Sequence, residues 1–158
     1  MFGLFKSAPF SDPSLGQLVR SRGLWRGTIR LDSGSVPLAL AGTRAAPEPE
    51  ALTIAREIPA QHVRWRHAIE TALFEHYEPY AESLAAGEFE AADESFASIT
   101  SPAAVWPHVC LEYVSVTRLG GSLTTELGYT TAWDEEHTLG ARFQRGEFLE
   151  LCGSVLRP

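Results

Sequence analysis

The chain is 158 residues long, about one domain's worth, with 44% hydrophobic and 21% charged residues, a composition that excludes wholesale disorder and a fibrous architecture. Thirteen Lys and Arg against twenty Asp and Glu give a formal charge of −7, and an acidic chain repels phosphate backbones, so nucleic acid is not expected as a partner. No apolar stretch reaches the roughly 18 residues that a membrane span requires.

Residues 1–12 read as a leader. Met1 to Lys6 is apolar but too short for a signal h-region, carries its cation after the apolar run, and lacks a cleavage site. A cytoplasmic protein without a membrane partner is therefore expected. A β-meander is predicted over 15–41. Leu15 to Arg20 is followed by a turn at Ser21-Arg22-Gly23, the alternating run Leu24 to Leu31 by a turn at Asp32-Ser33-Gly34, and Val36 to Leu40 resumes the alternation. Trp25 falls off the phase of its run, and Pro37 places the third strand at an edge or leaves it paired on one side only at that point. Arg20, Arg22, Arg26 and Arg30 recur at strand spacing and read as a solvated sheet face.

A helical segment is predicted over 48–86. Glu48 and Glu50 suit a first turn, and Leu52, Ala55, Ile58, Trp65, Ile69, Leu73 and Tyr77 recur at helical spacing. Pro59 implies either two helices or one kinked there, while Pro79 and Gly87 mark the far end, with a short further turn through Glu82 and Leu84. Residues 87–106 read as an acidic surface loop with a weak helical piece around 90–98 and a short turn from Pro102 to Trp106. A second meander follows over 110–154, with strands at Leu111–Thr117, Leu123–Thr131, Leu139–Phe143 and Glu147–Leu151. Strands, helices, strands is the order of an α+β domain, with a mainly antiparallel sheet and helices on one face.

Cys110 and Cys152 show no metal-finger spacing and read as two buried thiols. His108 and Cys110 are two apart, on one strand face, and with Cys152 supply enough donors for zinc, but nothing in the spacing demands a metal, and no cofactor is expected. The densest run of ionisable groups is Trp133-Asp134-Glu135-Glu136-His137-Thr138-Leu139-Gly140. Asp134, Glu136 and His137 offer oxygen and nitrogen ligands for a transition metal, or an acid–base set in which a carboxylate raises the imidazole pKa. Consecutive carboxylates on a strand point to opposite faces, which favours a plainer role: a hairpin connection in which Asp134 caps its own turn and His137 is tied to a neighbour.

This segment resembles the C-terminal signature W-D-x-E-H-G-L-G of a family of small uncharacterised bacterial proteins, a domain of unknown function. The resemblance extends to D-P-x-L-G at Asp12 to Gly16 and W-x-G at Trp25 to Gly27. Thr138 stands where the family pattern has glycine. The resemblance implies fold kinship and carries no activity with it.

His62, His67, Glu70, Glu75, His76 and Glu78 form a second cluster on the helix, in which His67 with Glu70 and His62 with Arg66 share a face. Lacking a facing copy of E-x-x-H, it reads as a solvated, ion-paired helix face. Phe74 and Tyr77 lie on one helix side as core or as a pocket lining. Two readings of function remain. The first is a non-enzymatic interaction module of immunity- or antitoxin-like character, recognising a basic protein surface by charge complementarity. The second is a small metal-dependent or acid–base enzyme centred on Asp134, Glu136 and His137, with Tyr77, Trp106 or Trp133 walling a pocket beside them. A symmetric homodimer is compatible with either, since a meander with Pro37 at its rim leaves exposed edges.

Overall fold

The computed structural model describes residues 6–88, 96 and 98–158. Eight strands lie side by side in chain order: β1 (Phe10–Asp12), β2 (Gly16–Ser21), β3 (Leu24–Leu31), β4 (Gly34–Leu40), β5 (Val109–Leu119), β6 (Ser122–Thr131), β7 (Leu139–Gln144) and β8 (Glu147–Cys152). Neighbours joined by tight turns are antiparallel, whereas β4 and β5 pair parallel, with Leu38 opposite Val114 and Leu40 opposite Val116. A parallel pair needs a crossover, and the helix α1 (Pro49–Ala85) with a 3-10 helix (Pro102–His108) supplies it. The architecture is α+β: two β-meanders flank one helical crossover, as the order of patterns predicts.

α1 is a single helix of 37 residues with Pro59 and Pro79 inside it. All seven apolar positions read from its periodicity, Leu52 through Tyr77, are buried. Each such side chain contributes about 1.5–3 kcal/mol on leaving water, which outweighs the roughly 3 kcal/mol that an interior proline costs. Both prolines stand on the exposed side, so the helix continues through Pro59 rather than splitting there. Trp65 stacks on Phe143 of β7, with ring centroids 4.0 Å apart, and fixes the helix over the second meander.

Two further expectations change. Phe10–Asp12, inside the segment read as a leader, pairs with β2 as an edge strand. Asp12 makes that turn: its Oδ1 accepts the Ser14 and Leu15 N–H groups at 2.9 Å each, while Oδ2 is held by Arg56 of α1. Pro37 is not at a rim, because β4 is a central strand. The parallel ladder begins at Leu38, so Pro37 opposes Thr28 of β3 alone and needs no donor on its other side. The exposed edges belong to β1 and β8 instead. The short turn expected at Pro102 is the 3-10 helix, while most of the helical piece expected around 90–98 lies outside the described residues.

The apolar core lies between α1 and one sheet face, with Trp25, Ile29, Leu38, Leu40, Val114, Val116, Leu127, Tyr129 and Leu139 on the sheet side. Trp25 is fully buried despite its phase, its indole N–H donating to the Thr43 carbonyl at 2.9 Å. On the other face the segment 153–158 runs back over the sheet, placing Val155 against Gly140 and the Pro158 carbonyl on Arg26. Arg26 is thereby tied to the Ser21 and Pro158 carbonyls rather than merely solvated.

Candidate functional site

The D-E-E-H segment is the link between β6 and β7, under the second half of α1. Asp134 is buried, and its backbone N–H donates to the Thr131 hydroxyl at 3.2 Å. Its carboxylate accepts from Tyr80 Oη at 2.9 Å and from His137 Nδ1, which lies 2.9 Å and 3.1 Å from its two oxygens. Burial works to raise the Asp134 carboxyl. The hydrogen bonds from His137 and Tyr80, the His137 charge and the Glu136 N–H together outweigh that, so the carboxyl sits below its ordinary range. Burial and the bond to Asp134 push the Tyr80 phenol up, keeping it a donor.

Trp133, beside Asp134, is buried and donates its indole N–H to His76 Nδ1 at 3.1 Å. Its ring meets Tyr77 edge-on at 5.4 Å, and Tyr77 in turn meets Phe96. Burial is the main reason that the His76 imidazole sits below its ordinary pKa. Asp134 and His137 are thus brought together, with Trp133 and Tyr77 as the packed floor beneath them. Glu136 is exposed; its backbone N–H serves the Asp134 carboxylate, but among the described residues no hydrogen bond joins its own carboxylate to that pair. Among the described residues no group of three or more His, Cys, Asp or Glu is disposed to hold a metal ion. What the arrangement offers chemically is an Asp–His pair whose imidazole is part exposed, with Nε2 the free ring nitrogen.

Trp106 takes no part in this cluster; of the three aromatics named as alternatives for a wall beside the carboxylates, Tyr77 and Trp133 lie there and Trp106 does not. Its indole N–H donates to Glu70 at 2.8 Å, Arg66 lies over its ring at 4.6 Å, and its ring neighbours Tyr129. The helix cluster of His62, His67, Glu70 and His76 is accordingly only in part a solvated face. His67 is exposed and pairs with Glu70 at 3.5 Å, but Glu70, His62 and His76 turn inward. His62, Arg66 and Trp106 line a cavity of about 240 Å3 with Asp32, Leu111 and Tyr129. Sequence reasoning missed Tyr129, which sits in phase with Leu127 on an alternating strand. The available signal was that a buried tyrosine needs a partner for its hydroxyl.

The cysteines also differ from expectation: Cys110 is exposed and Cys152 half-buried, both as free thiols. His108 ends the 3-10 helix and is not on a strand with Cys110, and the three form no metal-holding group. No helix among the described residues is long and apolar enough to cross a membrane.

No curated protein and no solved structure matches the chain. A family model does, over residues 30–154, and its description is a domain of unknown function, DUF6985. That range holds α1, the second meander and the Trp133–Gly140 link, while D-P-x-L-G and W-x-G precede it. Spanning most of the chain and both clusters described above, the match makes this protein a member of the DUF6985 family.

Proposed function

We propose that the chain is a non-enzymatic interaction module whose partner is a basic protein surface. The observation that carries this reading is the outer strand β8, where Phe148 and Leu149 are 39% and 48% exposed between Glu147 and Glu150. Apolar side chains flanked by two glutamates, Glu150 paired to Arg142 at 2.9 Å, on a chain of net charge −7, suit a partner that is apolar at its centre and basic around it. Recognition there is through side chains. Phe143 pairs with Phe148 and Arg142 with Glu150, so Leu149 is the extra residue of a bulge, and a bulged edge is a poor template for an added strand.

The test is native mass spectrometry of the untagged chain from its own host, beside Leu149→Lys and the pair Glu147→Lys and Glu150→Lys. A basic polypeptide bound by the wild type, released by salt and lost from both variants supports the reading. A partner retained equally by all three forms, or none at low salt, overturns it. A second reading, an acid–base or metal enzyme at Asp134, Glu136 and His137, is favoured by the free Nε2 of His137. Bound metal in stoichiometric amount that disappears in His137→Ala would carry it instead.

A further inference from the structure

The cavity beside Trp106 has two polar atoms without partners. Tyr129 is 2% exposed, and neither its hydroxyl nor Nε2 of His62 has a hydrogen-bond partner among the described residues, although both are shielded from solvent. An unpaired buried polar atom is destabilising, and both of these belong to side chains that line the same space. Buried polar groups left unpaired by the fold call for something that the fold does not contain. Burial holds the His62 imidazole below its ordinary pKa and pushes the Tyr129 phenol up. Both are therefore neutral: the phenol is a donor, and the imidazole donates through Nε2 in the tautomer that carries its proton there.

The walls define what else fits. Val109, Leu111 and the Trp106 ring supply apolar lining, and Arg66 lies over the Trp106 ring at 4.6 Å. The volume of about 240 Å3 exceeds the about 150 Å3 that admits a benzene ring. A bulge at Glu112, where Leu111 opposes Tyr129 but Tyr113 opposes Gly128, turns the β5 wall inward beside the space. Bulges that re-aim side chains recur next to binding sites. The polar lining groups are Tyr129, His62, Arg66 and Ser33, with the carboxylate of the exposed Asp32 as the one anionic acceptor among them.

We propose that this cavity binds a small aromatic carboxylate, its ring between Trp106 and the Val109–Leu111 wall and its carboxylate on Tyr129 Oη and His62 Nε2. The site is separate from the β8 patch, and either can fail without the other.

Benzoate is the probe, followed by protein NMR on the intact chain, with toluene as a ring without the carboxylate and acetate as the converse. Benzoate is expected to shift the Trp106 indole and His62 ring signals in a saturable way, and toluene and acetate to bind at least tenfold more weakly. Tyr129→Phe is expected to weaken benzoate by about tenfold, the loss of one hydrogen bond to a charged group. Without ligand the same variant should be as stable as the wild type or more so, since the hydroxyl it removes has no partner to lose. Leu111→Phe, which fills the space from the β5 side, should lose benzoate while keeping the fold. No saturable shift with benzoate, equal binding of toluene, or undiminished binding by either variant overturns the proposal. A Tyr129→Phe protein less stable than wild type also overturns it, because the hydroxyl then had a partner.

Discussion

Acidification should loosen the packing around Trp133 through one imidazole. Burial, with a smaller contribution from His137, holds the His76 imidazole below its ordinary value, and Asp134 opposes them incompletely. In the unfolded chain His76 takes up a proton near about pH 6.5, while in the folded chain it does so only at lower pH. Between those two values the unfolded state holds more protons, so stability is fully present above the unfolded pKa and is lost as pH falls through the folded one. The structural reason is the Trp133 indole N–H, which donates to His76 Nδ1 at 3.1 Å. Protonation makes that nitrogen a second donor, and the buried indole N–H is left unpaired at a cost of about 1–3 kcal/mol. For a chain of this size each kcal/mol is about 2–4 °C in Tm. The assay is thermal and urea unfolding at stepped pH from neutral to about pH 5, for wild type and His76→Asn. Asn places an amide oxygen near the position of Nδ1 and cannot titrate, and its helix propensity matches that of His. The variant should equal the wild type near neutrality and lose less stability on acidification. Some slope should persist from His62, which burial also depresses, with Asp32 and Arg66 pulling in opposite directions. An acid slope in His76→Asn identical to that of the wild type refutes the reasoning.

Two other substitutions test the packing. Gly128→Ala would place a Cβ 2.1 Å from Cε1 of Tyr113, a buried ring whose hydroxyl is held by Glu126 at 2.5 Å. A loss of at least about 3 kcal/mol is expected by urea unfolding, the upper end for overpacking, and most of it should vanish in a Tyr113→Ala background. Pro59→Ala should stabilise by about 1–3 kcal/mol, because it restores a helical N–H on the exposed side of α1 without touching the core. A destabilised Pro59→Ala protein would mean that the helix is bent there to fit the sheet.

The helix and the strands were legible because their patterns are set by burial on one face, and burial is what the fold then provides. Leu52, Ala55, Ile58, Trp65, Ile69, Leu73 and Tyr77 occupy the core as their spacing requires. Pro59 left two helices or one kinked helix open, because the rule for proline weighs a local cost; the chain makes one helix, since the buried residues on both sides of Pro59 outweigh that cost. Pro37 left open an edge strand or one-sided pairing at that point, and the second holds. A proline can stand in a central strand where the second ladder has not yet begun, and the start of a parallel ladder is a tertiary event. The bulge at Glu112 left no mark in the sequence, yet it changes the phase of β5. Val109 and Leu111 face the helix side before it, Val114 and Val116 after it, and Tyr113 is turned to the other face, where it meets Glu126. That phase change makes one wall of the cavity, so the cavity could not be read either. The Asp134–His137 turn was legible as chemistry, but its partners Tyr80 and His76 come from a helix more than fifty residues away.

What separates the two polar clusters is whether their hydrogen bonds are complete. Both are assembled by α1 from residues one turn apart, His76 with Tyr80 and His62 with Arg66. Around Asp134 the bonds close among protein groups: the carboxylate takes Tyr80 and His137, the backbone takes Thr131, and Trp133 takes His76. Such a network rigidifies the β6–β7 link against the helix and leaves the part-exposed Nε2 of His137 open to solvent. Around Tyr129 the apolar contacts are as good, but the hydroxyl and Nε2 of His62 have no partner among the described residues. Charged residues in a row drew attention to the first cluster, although ionised groups that satisfy one another are as much architecture as a packed leucine. The second cluster, with a single formal charge of each sign at its rim, has the incomplete bonding that a ligand would complete.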